Sequence, residues 1–254
     1  MNFSNERNAE ATNVRKFSEL AADYGRGTDR PDLDALAALA GDLSGKMLLD
    51  TAAGRGACAL RMAACGAEIH LADLTHAMLA EGRSDLLGRG LEFRAAVARN
   101  GRLPFPTGAF DVVTCTRAYH HLADIGAALL EARRVLRPSG RLLVTDHSGP
   151  DTPEAMTFLN KISRLRDGSH AETLSPKAWR KQLVDVGFDL QEIQTVVTRQ
   201  ELDVVLESAG DVAPKIEALF ENAPPSVLHA IEFTGSAPAD FASVIVVFDA
   251  VSVG

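Results

Sequence analysis

Lys46 to Gly56 reads KMLLDTAAGRG. Its apolar run ends on an acid, Asp50, and the turn that follows, Thr51 to Gly56, carries glycines at 54 and 56. Ala57 to Ala64 then has a helical pattern. A strand, a glycine turn and a helix in this order open a βα unit. Glycine at such a turn lets the backbone approach a ligand closely, and the helix N-terminus beyond it offers unpaired N–H groups. Glu68 to Asp73 (EIHLAD) reads as the next strand and again closes on an acid. A carboxylate about 20 residues beyond such a turn can accept hydrogen bonds from ribose hydroxyls. The spacing departs from the dinucleotide pattern G-x-G-x-x-G, because Cys58-Ala59 stand where the third glycine is expected.

Outward from this unit the alternation continues. Thr75 to Leu87 reads as a helix with Thr75 as N-cap, Leu91 to Ala95 as a weaker third strand, and Phe110 to Cys115 (FDVVTC) as a fourth. Asp124 can cap a helix running to about Leu136, with Ile125, Leu129, Ala132 and Leu136 on one buried face. Pro138-Ser139-Gly140 is expected to end it, and Arg141 to Asp146 (RLLVTD) to form the fifth strand. Strands separated by helices imply right-handed crossovers and a parallel sheet.

Beyond Pro150 the regularity breaks. Helices are expected over Pro153 to Arg166 and from Ser175-Pro176 to Gly187, and a strand over Leu190 to Val197. Interrupted helical segments follow over 201–232, then a last strand over Phe241 to Val251. The stretches at about 151–180 and 199–238 interrupt an otherwise regular core of about 46–150 and its closing strands. They are placed to cover a ligand.

Composition bounds the chemistry. The 254 residues carry 26 basic and 34 acidic side chains, a net charge of −8, and 46% are hydrophobic. That suits one large α/β domain and argues against a protein that binds nucleic acid by neutralising phosphates. No apolar run approaches the roughly 18 residues of a membrane span. The N-terminus MNFSNERNAEATNVRKF lacks the order of a signal peptide. Cys58, Cys65 and Cys115 lie in apolar segments without Cys-x-x-Cys or Cys/His spacing, so reduced cytoplasmic thiols and no metal are expected.

Taken in order, LLDTAAGRG, LADLTHAML, LPFPTGAFDVVTC, YHHLAD and RRVLRPSGRLLVTDH resemble the class I S-adenosylmethionine-dependent methyltransferases. The nearest branch is that of ubiquinone/menaquinone biosynthesis and small-molecule tailoring. The resemblance covers about residues 14–200. It implies a single α/β domain: a Rossmann-like, seven-stranded, mostly parallel sheet, strand seven antiparallel, with helices on both faces and a helical substrate-covering insertion. It implies N-terminal lid helices over about 1–45, S-adenosylmethionine as cofactor and S-adenosylhomocysteine as product. Asp50, Ala52, Gly54 and Gly56 would line the methionine end of the cofactor, and Asp73 would hold the ribose. Leu74 and Met78 would lie near the adenosine, where as apolar residues they equally suit the core. Phe17, Ala21 and Tyr24 are spaced on one face of a helix that in relatives closes over the cofactor, which puts Tyr24 within its reach; a simple amphipathic lid explains the spacing equally well.

Relatives place an acid after strand three to accept the adenine amino group, whereas Arg94 to Phe110 contains none. The matching position is Val97 or Arg99. Arginine only donates, but Asn100 can accept through its amide oxygen, and Ala98, Arg99 and Asn100 are expected beside adenine. Ala53 also stands where relatives carry Thr or Gly. Past strand four comes Arg117-Ala118-Tyr119-His120-His121. Arg117 is expected at the cofactor. A histidine there can remove a proton from an acceptor, with His121 or His120 as the base and Asp146 orienting the imidazole or holding a substrate hydroxyl. Leu165 to His170, followed by Trp179, resembles a stretch of the substrate cover; its Arg166-Asp167 pair and capping Ser169 suit a structural role more readily than a substrate role.

The reading is methyl transfer to an O, N or C nucleophile of a small organic molecule in secondary or quinone-like metabolism. The alternatives are the same fold catalysing cyclisation, elimination or rearrangement, and a small-molecule-binding pseudoenzyme. Thr116-Arg117-Ala118-Tyr119 replaces the Asn/Asp-Pro-Pro-Tyr/Phe element of enzymes that act on flipped bases, which disfavours nucleic acid. A homodimer is left open.

Overall fold

The structure, a computed structural model, describes residues 3–25 and 30–253; residues 26–29 of the expected lid segment lie outside the described residues. Two helices, α1 (Phe3–Leu20) and α2 (Pro31–Ala40), precede β1 (Met47–Thr51), α3 (Ala57–Ala64), β2 (Glu68–Asp73), α4 (His76–Gly88) and β3 (Phe93–Val97). Then come β4 (Phe110–Thr116), α5 (Ile125–Val135), β5 (Leu136–Ser148), α6 (Pro153–Arg166) and α7 (Pro176–Asp185). The chain closes with β6 (Phe188–Glu201), α8 (Leu202–Ala209), α9 (Ala213–Glu221), α10 (Pro225–Ala230) and β7 (Asp240–Ser252).

The seven strands form one sheet in the order β3-β2-β1-β4-β5-β7-β6. β1 pairs in parallel with both β2 and β4, whereas β7 runs antiparallel to β5 and β6. The order reverses direction at β1, so a crevice opens beyond the carboxyl ends of β1 and β4.

Central strands bury both faces, and alternate side chains go to opposite cores. Leu49, Val113, Leu142, Val144 and Phe248 join one cluster, completed by residues of α5 and α7. Leu48, Val112, Leu143 and Val247 join the other, beneath α2, α3 and α4. Trp179 is fully buried in the first, with its ring edge-on to Tyr119 at 5.3 Å and near Phe248 at 5.2 Å. Arg141 pins α2 to the sheet: it donates to the carbonyls of Leu39 and Ala40 and pairs with Asp249 at 2.9 Å. A cation at the end of α2 also suits its dipole.

Several boundaries differ from the sequence expectation. β3 starts at Phe93 rather than Leu91; it is an edge strand with mostly exposed side chains, so its hydrophobic pattern is weak. Pro138-Ser139-Gly140 does not separate α5 from β5. The strand begins at Leu136, and the extra residues form an irregularity as pairing steps from Phe110–Leu136 to Val112–Arg141. β6 and β7 run beyond the expected ends and pair out to Glu201 and Asp240. Their outer ends pack with α6 and α8–α10, whose shared core includes Phe158, Ile216, Phe220 and Phe241. Of the prolines that interrupt 201–232, Pro214 and Pro225 fall in the first turns of α9 and α10, where proline is tolerated, and Pro224 is the N-cap of α10.

Gly82 shows how tightly α4 packs against the glycine turn. A Cβ there would lie 2.7 Å from the Arg55 carbonyl oxygen and 2.8 Å from its Cα. Backbone cannot yield as a flexible side chain can, so Gly82→Ala is expected to destabilise by about 1–3 kcal/mol. Gly88→Ala meets nothing within 4 Å and is expected to be neutral or stabilising by up to about 1 kcal/mol. Urea unfolding of the two variants checks the opposite signs.

Candidate active site

At the carboxyl end of β1, Asp50 accepts a 2.7 Å hydrogen bond from the Thr114 hydroxyl of neighbouring β4. Its Oδ2 is buried and meets no hydrogen-bond donor among the described residues. Burial pushes its pKa up to about 7, only partly offset by the Thr114 hydroxyl and the Cys58 thiol. Beyond it the chain turns through positive φ at Ala52, Gly54 and Gly56. Gly56 turns at φ +83°, which strains any L side chain, and a Cβ there would lie 2.7 Å from Leu86 Cδ1 and displace that side chain.

Asp73 ends β2 and holds that turn. Its Oδ2 accepts from the Gly54 N–H at 2.8 Å, and its Oδ1 from the Thr75 N–H at 2.7 Å. Burial raises its pKa against both of those bonds. In front of this edge lies a cavity of about 890 Å³, with Gly54 and Asp73 on one side and Arg117 and His121 on another. Its size is that of a small-molecule site.

Of the residues expected from sequence, Tyr24, Ala52, Gly54, Asp73, Leu74, Met78, Arg99, Asn100, Arg117 and His121 line the cavity. Asp50, Gly56 and Ala98 lie behind its wall. So do His120 and Asp146, which pair with each other: Asp146 accepts from the His120 N–H at 3.0 Å and meets His120 Nδ1 at 2.5 Å. Burial opposes ionisation of Asp146, but the His120 imidazole holds its carboxyl below the usual range. Asn100 donates to Cys115 Sγ at 3.8 Å, which leaves its amide oxygen as the acceptor.

The rings of His121, His147 and His170 lie at 4.0, 4.8 and 5.6 Å from that of His120. Among the described residues no group of three or more His, Cys, Asp or Glu is arranged to hold a metal ion. Burial, reinforced by the charge of His120, pushes each of the three outer imidazoles down to about 4. His121 is therefore neutral at neutral pH.

Two features escaped the sequence. The first is Asp32, fully buried in the first turn of α2. It pairs with Arg30 at 2.8 Å and Arg117 at 2.6 Å, and accepts from the Thr145 hydroxyl at 2.9 Å. Burial works to raise its pKa, but the two guanidinium groups hold it low. An acid after Pro31 reads as an ordinary helix-start residue, so nothing local marks it. The second is the set of bonds that dock α1, the expected lid helix. Asn13 donates to the His121 carbonyl at 3.2 Å, and Phe17 meets the His121 ring edge-on at 5.1 Å. Lys16 pairs with Asp167 at 2.5 Å, and Glu10 with Arg99 at 3.1 Å. Arg55 bonds the Ala21 and Ala22 carbonyls and Asp85.

Residues 49–144 match the family described as "Methyltransferase domain". An uncharacterized methyltransferase of Bacillus subtilis, YcgJ, is 35% identical over 150 residues, 58% of each chain. The crystal structure of YcgJ superposes with a TM-score of 0.81 at 26% identity, over 88% of this chain and 99% of that one. Residues 49–144 of the chain thus match a methyltransferase domain, on a fold shared with the YcgJ structure. A demethylmenaquinone methyltransferase of Thermus thermophilus is 45% identical over 107 residues, 41% of this chain and 49% of that enzyme. By sequence, then, the chain spans only about half to three-fifths of the length of these curated relatives. The methyltransferase-type fold also has a member of another activity, the [4+2]-cyclase SpnF, at TM-score 0.61 and 19% identity over 91% of this chain and 85% of that one.

The unmatched buried carboxyl of Asp50 yields a stability test. With its folded pKa raised to about 7 from 3.8, the stability it contributes is complete below the unfolded value and is lost as pH rises through about 7. Asp50→Asn, which removes the buried charge, is expected to raise the melting temperature of the ligand-free protein more at pH 8 than at pH 5. Scanning calorimetry at the two pH values checks the difference.

Proposed function

We propose that this protein transfers a methyl group from S-adenosylmethionine to a small organic acceptor in secondary or quinone-like metabolism. The observation that carries the reading is one cavity with Asp73 and the glycine turn on one side and a neutral His121 on another. The site fits the cofactor's chemistry: Asp73 and Asn100 present acceptor oxygens on the cavity wall, and a Cβ at Gly54 would meet no protein atom, leaving backbone open to a ligand. Bound S-adenosylmethionine supplies an electrophilic methyl group on a positively charged sulfonium.

In this reading Asp73 accepts from the ribose hydroxyls and Gly54 sits against the methionine end. Leu74 and Met78 flank the adenosine, and the Asn100 amide oxygen takes the adenine amino group in place of the missing acid. Arg30 and Arg117 share the single carboxylate of Asp32, so their combined charge leaves an excess positive charge on the cavity wall for a ligand carboxylate. His121 takes the acceptor's proton, and the His120–Asp146 pair supports it from behind. Phe17, Leu122 and Ala127 on the cavity wall supply the apolar side of the acceptor site. A net charge of −8 supports a small molecule over nucleic acid.

Titration calorimetry with S-adenosylhomocysteine is expected to give saturable binding that Asp73→Ala weakens at least about tenfold, about 1.4 kcal/mol. No heat of binding with either S-adenosylhomocysteine or S-adenosylmethionine sinks the reading. The acid-free segment after β3 favours one rival, a non-methylating reaction on the same fold; a product with no added methyl group, formed without cofactor turnover, decides for it. On an acceptor that is turned over, the rate is expected to stay level from pH 8 to pH 5 and to fall as pH drops through about 4, where His121 protonates.

A further inference from the structure

Which nitrogen of His121 faces the acceptor depends on what its Nδ1 meets. Two oxygens of Ser169 lie against Nδ1: the main-chain carbonyl at 3.2 Å and the hydroxyl at 3.1 Å. The carbonyl can only accept, so it calls for a proton on Nδ1. The hydroxyl could accept or donate, and a donated proton would call for the opposite tautomer. Its proton is directed elsewhere. Ser169 Oγ donates to Asp167 Oδ1 at 2.5 Å, and Asp167 also accepts from the Ser169 N–H at 2.8 Å. Burial works against the Asp167 carboxylate, but Lys16 and Ser169 hold its pKa far below the usual range, so it carries no proton to give. Lys16 Nζ completes the arrangement, pairing with Asp167 at 2.5 Å and donating to Ser169 Oγ at 2.9 Å.

We infer that Asp167, held by Lys16, is a positioning residue: it takes the Ser169 hydroxyl proton so that His121 keeps its proton on Nδ1 and its lone pair on Nε2. The inference rests on His121 as the base and deepens that reading. The parts come from three separate segments: α1 (Lys16), the loop after α6 (Asp167, Ser169) and the loop after β4 (His121). Lys16 thus ties the docking of α1 to the setting of the base. The other groups that bear on His121 are His120 beside it, with Asp146 behind, His147 at the end of β5, and His170 in the cover. None of these touches Nδ1.

The test is two-bond ¹H–¹⁵N NMR of the full chain labelled at histidine nitrogens, with saturating S-adenosylhomocysteine as probe and H121Q assigning the signal. Wild type is expected to show His121 as a single Nδ1–H tautomer, with widely separated ring ¹⁵N shifts. In D167A the freed Ser169 hydroxyl competes, and the two shifts move toward each other. S169A keeps the carbonyl, loses the competitor and is expected to retain the wild-type separation. The double variant D167A/S169A is expected to restore it, which no purely structural role for Asp167 would do. An Nε2–H tautomer in wild type, where folding of variants is not in question, overturns the inference. So does a folded D167A with unchanged shifts, or a folded double variant that fails to restore them. The base reading fails separately, on full methyl transfer by H121Q, because the spectrum reads the tautomer without turnover.

Discussion

The carboxylate of Asp32 holds together three parts of the chain that meet nowhere else in sequence. It binds Arg30 just ahead of α2, Arg117 in the loop after β4, and Thr145 near the end of β5. A buried carboxylate with no partner would be costly, and losing either side of a buried pair costs about 3–5 kcal/mol. The two arginines offset that cost, and in doing so they are held at the cavity wall. Arg117 accepts a positive φ of 50° at this point, while its N–H bonds the Thr145 carbonyl at 2.7 Å. A non-glycine residue keeps such a conformation only where its surroundings impose it. The shape of the cavity beside His121 thus follows from one acid that faces no ligand itself.

The sheet was largely legible in the sequence because burial on both faces leaves an unbroken apolar run. KMLLD and FDVVTC could be read that way, and β1 and β4 lie at Met47–Thr51 and Phe110–Thr116. Local turn chemistry was equally legible: Asp124 and Ser175 accept from the N–H groups of Ala127 and Ala178 as helix caps. Failure came where pairing rather than side-chain pattern sets the boundary. The start of β5 and the outer reach of β6 are fixed by hydrogen bonds to a neighbouring strand, and their exposed residues carry no periodic signal.

The site divides along the same line. Gly54 and Asp73 lie 19 positions apart on adjacent strand ends and share a hydrogen bond, so their spacing was informative. His120 and His121 are neighbours in sequence, and no local pattern separates them. What separates them is long-range: Asp146 stands behind one, while Ser169, Asn13 and Phe17 surround the other. Arg166-Asp167 and Ser169 could be read as an ion pair and a cap, but Asp167 instead pairs with Lys16 and accepts from the Ser169 N–H. The contact of Ser169 with His121 depends on a fold that brings residues 48 apart together.

The acid-free segment after β3 takes on a different meaning in three dimensions. It carries Arg94, Arg99 and Arg102 with no local acid, and Arg99 meets Glu10 from α1 across the cavity mouth. At the other side of the cavity the charge order is reversed, since α1 supplies Lys16 and the cover supplies Asp167. The helix is therefore held by one acid and one base of its own, which fixes its direction: a reversed α1 would set like charges against each other at both points. Both pairs are partly exposed, and such pairs contribute about 0–1 kcal/mol each. Bonds that weak orient a cover without locking it. In the proposed reaction, a helix that admits an acceptor and releases a product needs that balance, and the precision of the site then rests in the short bonds around His121 rather than in the strength of the latch.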